Sequence, residues 1–329
     1  MKSTLTHLFE HNTLTRAEAK AILISIGKGE FKPMQIASFL TVFIMRGIKV
    51  EELEGFRDAM LELCIPVDLS AYNPVDLCGT GGDGKDTFNI STLASFVTAG
   101  AGVKVAKHGN YGVSSVSGSS NVIEYFGYKF TNDVKEIERK IDKAGICFLH
   151  APLFHPAMKE VAPVRRQMGV KTFFNMLGPM VNPAKVQRQL VGVFSLELAR
   201  LYGYLYQQSG KQFAIVHSLD GYDEISLTGK FKLITNEAEQ ILEPEDLNFK
   251  HLNAKELAGG DTVEAAATIF EKVLNAEGTT AQNNAVMANA GLAIRCAYPE
   301  KTLDETIDMA RESLHSKAAY RAFKTFIED

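Results

Sequence analysis

The chain has 329 residues, 46% of them hydrophobic and 22% charged, with a formal net charge of −4. That length suits one large domain or two ordinary ones, each with a real core, as in a soluble globular protein. The acidic balance argues against a dedicated nucleic-acid binder, though it leaves room for a local basic pocket that takes an anion. The longest apolar run, "IASFLTVFIM" from Ile36 to Met45, is shorter than the ~20 residues a bilayer span needs, so no membrane association is expected. Cys64, Cys78, Cys147 and Cys296 show no C-x-x-C spacing and read as buried reduced thiols, not as zinc ligands. The opening "MKSTLTHLFEHN" lacks the apolar core of a signal peptide, and the chain reads as cytoplasmic.

The first 65 residues read as all-helical. Thr15 and Glu18 spell a capping box ahead of "AKAILISIG". Pro33 suits the first turn of the next helix, and "VEELEGFRDAMLELC" follows with helical apolar spacing. These helices are unusually greasy for a small subdomain, and a helix apolar nearly all round must be buried, as against another subunit. This helical domain is expected over residues 1–66.

From "NPVDLCG" the pattern changes. Short apolar runs ("VDLCG", "GVKVAKHG", "ICFLHAP", "LVGVF", "FAIVHS") alternate with amphipathic stretches. The alternation predicts an α/β domain over residues 73–329 with a mainly parallel central sheet. The helical stretch near 160–180 is expected to pack on the N-terminal helical domain. "TVEAAATIFEKVLNA" and "TAQNNAVMANAGLAIRCAY" read as structural helices, and Thr302 with Glu305 spells a capping box before one final helix.

Ligands of parallel sheets bind beyond the carboxyl ends of the strands. The unusual segments fall there: "GTGGDG" after the first strand, "KHGNYGVSSVSGSS" after the second, "HAPLFHPAM" after the third and "GYDEIS" after "FAIVHS". The first of these fits both G-x-G-x-x-G and the start of a P-loop, and the chemistry rejects both. A P-loop needs Ser or Thr after its lysine to bind Mg²⁺, whereas Asp86 follows Lys85. The dinucleotide fingerprint needs an acid about 20 positions on, where this chain has Lys104, Lys107 and His108. What survives is a glycine-rich strand-to-helix turn that lets the backbone approach an anion, with a helix N-terminus near Ser91 and Thr92 facing it. The alternative is a purely structural turn. Lys107 to Ser120 repeats the theme with hydroxyls, glycines and one lysine, so the two loops together suit a ligand with several phosphates; alone, the second is also compatible with a serine-rich surface loop.

Asp223 and Glu224 are adjacent carboxylates that can share a Mg²⁺, or else a solvated surface pair. Arg165 and Arg166 offer guanidinium groups for a carboxylate. His108 and His155 fall at the expected ligand edge as candidate acids, bases or hydrogen-bond partners. No Ser-His-Asp or metalloprotease spacing occurs.

Taken together, "GTGGDG", "FNIST", "KHGN", "VSSVSGSS", "HPAMKEVAPVR", "TFFNMLGPMVNP" and "DGYDEIS" make the chain resemble the anthranilate phosphoribosyltransferase family nearly end to end. The resemblance implies a small helical domain, usually dimerising, joined to an α/β domain of the nucleoside phosphorylase and phosphoribosyltransferase kind. It implies transfer of the phosphoribosyl group of 5-phosphoribosyl 1-pyrophosphate to the amino group of anthranilate, in tryptophan biosynthesis, with two Mg²⁺ per monomer. Carried over, Gly79, Gly82, Asp83, Thr87, Asn89, Ile90, Ser91 and Thr92 bind phosphoribosyl pyrophosphate. Lys107, His108, Gly109, Asn110, Tyr111, Gly112, Val113, Ser114 and Ser115 form a cover over it, and Ser119 adds to the site. Gly79, Asn110 and Arg165 meet anthranilate; Ser91, Asp223 and Glu224 bind metal; His108 and Lys107 are the candidates nearest to a catalytic role. One departure stands out: many members carry Arg after "KHGN", where this chain has Tyr111, followed by Gly112. The alternatives are a pyrimidine nucleoside phosphorylase-like enzyme, which needs one phosphate and no metal pair, and a non-catalytic relative that binds nucleic acid.

Overall fold

The computed structural model describes residues 1–112 and 117–328. In chain order the helices are α1 (Lys2–Phe9), α2 (Arg16–Gly27), α3 (Pro33–Arg46), α4 (Val50–Leu63), α5 (Ile90–Gly100), α6 (Ser119–Tyr125), α7 (Val134–Ala144), α8 (Ala151–Phe154), α9 (Met158–Met168), α10 (Phe174–Leu177), α11 (Leu196–Gln207), α12 (Val263–Leu274), α13 (Thr280–Ala297), α14 (Leu303–His315) and α15 (Ala318–Glu328). The strands are β1 (Val75–Gly79), β2 (Val105–Gly109), β3 (Ile146–His150), β4 (Arg188–Gly192), β5 (Gln212–Ser218), β6 (Phe231–Thr235) and β7 (Glu239–Leu242). They form two compact units, Met1–Val67 with Ala151–Pro183, and Asp68–His150 with Ala184–Asp329.

The first unit is helical. Thr15 caps α2, its hydroxyl accepting from the Glu18 N–H while Glu18 reaches back to the Thr15 N–H at 2.9 Å. Pro33 opens α3. Gly55 lets α4 close on α2, because a Cβ there would overlap the Arg16 carbonyl and the Ala19 methyl. Phe39, Phe43, Phe56 and Phe173 build the centre edge-to-face, with Phe56 and Phe173 stacked at 4.2 Å. Glu52 is fully buried and satisfied four ways: it accepts from the Leu14 and Lys49 N–H groups and twice from Arg46. The greasy helix α3 is not buried all round within the chain. Ile36, Phe39, Leu40 and Phe43 face the core, whereas Met34, Ile44 and Met45 are exposed, since one helix can press only one stripe into a small bundle.

The second unit holds the seven-stranded sheet, in the order β3-β2-β1-β4-β5-β6-β7. Strands β1 to β5 are parallel; β6 and β7 join antiparallel to β5 and to each other. Sequence patterning predicts β1 to β5 but not the last two. "FKLIT" and "EQIL" are short and interrupted by charge, and the exposed "EQIL" forms the edge. Helices α5 and α13 pack against one another and against β1. Val75, Leu77, Ile90, Leu93 and Leu190 lie in that core. The single helix expected after Thr302 is two, α14 and α15, broken where Lys317 takes φ +60°. No glycine or proline marks this break, so sequence punctuation could not show it.

Candidate active site

Strand order reverses at β1: β2 and β3 lie to one side, β4 and β5 to the other. A ligand crevice belongs above the carboxyl ends of such a pair. Here β1 and β4 both end in glycine, and Gly79 and Gly192 are register partners. Neither glycine is needed for φ; both are needed for space. A Cβ on Gly79 would overlap the Asp223 carboxylate, and one on Gly192 would overlap the Asp223 carbonyl oxygen. The loop after β5 therefore lies directly on the two strand ends.

The glycine-rich turn follows β1. Gly81, Gly82 and Gly84 take φ of +64°, +77° and +72°, a region that favours glycine. The turn is anchored beyond these residues: Phe88 N–H donates to Leu257 O at 3.0 Å, and Gly259 N–H to Asp86 O at 2.9 Å. Helix α5 then starts at Ile90, one residue before the expected Ser91. The backbone donors meet the acid pair. Gly81 N–H donates to Asp223 Oδ2 at 2.7 Å, and Ser91 N–H to Glu224 Oε1 at 2.9 Å. Asp83 is a side-chain partner of Asp223. Burial, then the charge of Asp83, pushes Asp223 up to about 7. Burial, then the charges of Asp223 and Asp83, pushes Glu224 well above the usual carboxylate range. Asp223 and Glu224 are thus not a solvated surface pair: Asp223 is 8% exposed.

Residues that sequence reasoning passed over hold this loop. Asn289, in the middle of α13, accepts from Ile225 N–H at 3.1 Å and donates to Ile225 O at 2.9 Å. Ser218 donates to Glu224 O at 2.7 Å and accepts from the Ser226 N–H and hydroxyl. An asparagine within the apolar stretch from Ala285 to Ile294 of α13 was the available clue for Asn289. Gly192 gave none, because a strand-end glycine is common.

The second loop leaves β2. Lys107 is 1% exposed, and its ammonium donates to Leu77 O at 2.6 Å beneath the strand end. Burial pulls its pKa down, while Asp76 and Glu224 push it back up. His108 is also buried, its N–H on Asp76 Oδ1 at 3.1 Å. Gly109 must be small, since a Cβ would overlap the Phe148 ring. Asn110 uses its side-chain oxygen on the Tyr111 N–H at 2.8 Å, and its carbonyl accepts from the Ser119 hydroxyl at 3.1 Å. Tyr111 donates to Glu124 at 3.3 Å and sets its ring edge-on to His150 at 4.9 Å. Gly112 N–H and Gly118 N–H share Asn121 Oδ1 at 3.0 Å. Asn89 donates to Ser117 O at 3.0 Å and so ties the two loops together. Thr80 Oγ1 and Ser117 Oγ are buried without a hydrogen-bond partner among the described residues. Val113, Ser114 and Ser115 lie outside the described residues. The α/β unit thus holds Gly79, Gly82, Asp83, Thr87, Asn89, Ile90, Ser91, Thr92, Asp223 and Glu224 on the strand ends and their turns, with the Lys107–Gly112 segment and Ser119 on the second loop.

Arg165 belongs to the helical unit. It sits on α9 over the Phe174 ring at 5.4 Å, and one Nη donates to Asn175 Oδ1 at 3.1 Å. Its Nε is buried without a partner, and burial lowers its pKa. A guanidinium held flat, partly desolvated and without a carboxylate partner among the described residues is ready for an anionic ligand. Arg166, by contrast, is exposed. His155, in the same unit, is 4% exposed, and burial pushes its pKa down to about 4. Burial thus favours its neutral form.

Residues 71–320 match the glycosyl transferase family, a/b domain, and residues 2–64 match the glycosyl transferase family, helical bundle domain. An anthranilate phosphoribosyltransferase of Christiangramia forsetii is 61% identical over 324 residues, covering 98% of each chain. The crystal structure of anthranilate phosphoribosyltransferase from Thermus thermophilus superposes with a TM-score of 0.92 at 33% identity, covering 98% of each chain. The Saccharomyces cerevisiae anthranilate phosphoribosyltransferase in complex with PRPP and Mg superposes with a TM-score of 0.89 at 29% identity, over 99% of this chain and 96% of that one.

Proposed function

The chain belongs to the anthranilate phosphoribosyltransferase family, and we infer that it joins the amino nitrogen of anthranilate to C1 of phosphoribosyl pyrophosphate, releasing pyrophosphate, in tryptophan biosynthesis. The observation that carries this reading is the carboxyl pair Asp223 and Glu224, seated on the amides of Gly81 and Ser91 over the β1–β4 strand ends. Three carboxyl groups, Asp83, Asp223 and Glu224, are crowded there, and the raised pKa values of Asp223 and Glu224 mark a place short of positive charge. Hard oxygen donors around such a place suit Mg²⁺, which typically bridges one or two carboxylates and substrate phosphates. Asp223 and Glu224 would hold it, with Ser91 supporting, and two ions per chain are proposed. When bound, Mg²⁺ neutralises charge on the pyrophosphate.

The chain's own residues do the rest. The glycine turn and the N-terminus of α5 offer backbone N–H groups and a positive dipole end to phosphate oxygens. The unpartnered hydroxyls of Thr80 and Ser117 are further donors. Asn89, Asn110 and Ser119 fix the second loop as a cover over the same ligand. Lys107 contributes charge from below, through its field at Glu224. Arg165 takes the anthranilate carboxylate, with Gly79 and Asn110 as the other anthranilate contacts. As the C1–oxygen bond breaks, positive charge grows on the ribose ring and negative charge on the leaving group, so positioning and electrostatics supply the catalysis. The anthranilate amine is neutral near pH 7 and attacks C1 without prior deprotonation; the extra N–H proton is lost afterwards to the departing pyrophosphate or to water. No general base is assigned, which fits the buried settings of His108 and Lys107.

The chain acts as a cytoplasmic homodimer. Support comes from Met34 and Met45 on α3, 83% and 81% exposed, with Ile44 beside them and Phe9 exposed on α1. Large apolar side chains left on one helix are the usual mark of a subunit contact. No described helix is long and apolar enough to cross a membrane.

The test is stoichiometry. Purified chain with anthranilate, phosphoribosyl pyrophosphate and Mg²⁺ should release one pyrophosphate per anthranilate consumed. Phosphorolysis of a pyrimidine nucleoside without anthranilate turnover would overturn the reading.

A further inference from the structure

Lys85 is the one cation of the glycine-rich turn, and neither the anion cradle nor the acid pair uses it. The residue is exposed, yet its side chain is not loose. The ammonium lies 4.7 Å from the centroid of the Tyr222 ring. Its stem passes close over Gly221, where a Cβ would come within 3.2 Å of Lys85 Cε. Gly221 has φ +105°, so that position is reserved for glycine and the path of the lysine stays open. The Lys85 N–H also donates to Asp83 Oδ1 at 3.2 Å, and Asp83 is the side-chain partner of Asp223. Lys85 therefore holds the turn at two points: its amide orients Asp83, and its ammonium reaches the residue immediately before Asp223.

We propose that Lys85 and Tyr222 form a cation–π latch that joins the glycine-rich turn to the Asp223–Glu224 loop and sets the spacing of the metal and pyrophosphate donors before the ligand arrives. The physical need is clear. Gly81, Gly82 and Gly84 leave the turn with much conformational freedom to lose. The turn is also tied through the Gly81 N–H on Asp223 and, on the far side, through Phe88 and Gly259 toward residues 257–259. Without the tie to Tyr222, the segment around Gly84 and Lys85 would have more order left to gain when ligand binds, and affinity would fall by that cost. Lys85 is thus a positioning residue. It acts through Asp83 and Tyr222, and does not itself touch the reacting atoms.

The proposal rests on the metal and phosphoribosyl pyrophosphate reading above, so the test separates the two. Calorimetric binding of Mg²⁺ with phosphoribosyl pyrophosphate, without anthranilate, is measured for wild type, Lys85→Met, Lys85→Arg, Tyr222→Leu, Tyr222→Phe and the double variant Lys85→Met/Tyr222→Leu. A cation–π contact of this exposed kind corresponds to about a two- to fivefold change in affinity. Lys85→Met and Tyr222→Leu are each expected to weaken binding by that factor, and the double variant by no more than either. Lys85→Arg and Tyr222→Phe, which keep a cation and a ring, are expected to stay close to wild type. In turnover, the KM for phosphoribosyl pyrophosphate rises while the KM for anthranilate holds. A loss in Lys85→Met with none in Tyr222→Leu, or fully additive losses, would overturn the latch and make Lys85 a direct phosphate contact. Unchanged binding in both single variants would also overturn it. Failure of the wild type to bind at all would instead overturn the functional reading on which the latch stands.

Discussion

Gly192 at the end of β4 lies so close beneath Asp223 that a single added carbon would overlap the Asp223 carbonyl oxygen. Because β4 is locked in register with β1 from Arg188 to Gly192, it cannot yield, and the strain would pass into the acid pair. Gly192→Ala should therefore cost about a hundredfold in kcat/KM, the usual penalty for misplacing a reactive geometry by about 1 Å. Far-ultraviolet circular dichroism should stay native. An Ala variant with wild-type activity would show that the acid pair need not sit on the strand ends.

Arg165 is paired with Asn175 and laid over Phe174, with no carboxylate partner among the described residues. A charged hydrogen bond to the anthranilate carboxylate is worth about 1.5–3 kcal/mol. Arg165→Ala should raise the KM for anthranilate by roughly ten- to a hundredfold and that for phosphoribosyl pyrophosphate far less. Steady-state kinetics in both substrates settle it; equal rises would remove Arg165 from the anthranilate contact.

Asn289 closes two hydrogen bonds on the backbone of Ile225 from within α13. Asn289→Leu should strip both and leave buried peptide groups unpaired, at about 1–3 kcal/mol each. Thermal melts should drop, and addition of Mg²⁺ with phosphoribosyl pyrophosphate should recover part of the loss by binding the folded state. A variant with unchanged melting and unchanged ligand response would contradict the clamp.

His155 is neutral in the fold, its pKa pushed down to about 4 by burial. The unfolded chain takes up that proton near pH 6.5. Stability from this group is therefore fully present above about pH 6.5 and is lost as pH falls toward 4, by about 3 kcal/mol in all. Urea midpoints of the wild type should fall across that window, and those of His155→Gln should fall less steeply. Parallel slopes would mean that another group carries the acid transition.

Much of this was legible in the sequence, and the reasons are specific. The capping boxes at Thr15 and Thr302 were readable because a cap is a local event. Strands β1 to β5 were readable as apolar runs because parallel strands are covered on both faces. "GTGGDG" and "DGYDEIS" were readable as loops beyond strand ends. That they meet was not: Asp223 and Gly81 lie 142 residues apart in sequence, and only the strand order brings β5 within reach of β1. The antiparallel strands β6 and β7 were hidden by their charges, and the break before α15 by the lack of glycine or proline. The burial of His155 within the helical unit could not be read from its place after a strand. Tyr111 reaches Glu124 and His150 in the structure, neither of which its sequence neighbourhood pointed to.

The most direct measurement follows the fluorescence of anthranilate in the presence of phosphoribosyl pyrophosphate and Mg²⁺, for the wild type, for the wild type with excess chelator, and for Asp223→Asn/Glu224→Gln. The signal should decay only with the wild type and free Mg²⁺, and the double variant should need far more Mg²⁺ to act at all. Undiminished decay in the chelated sample or in the double variant at low Mg²⁺ would contradict the assignment of the site.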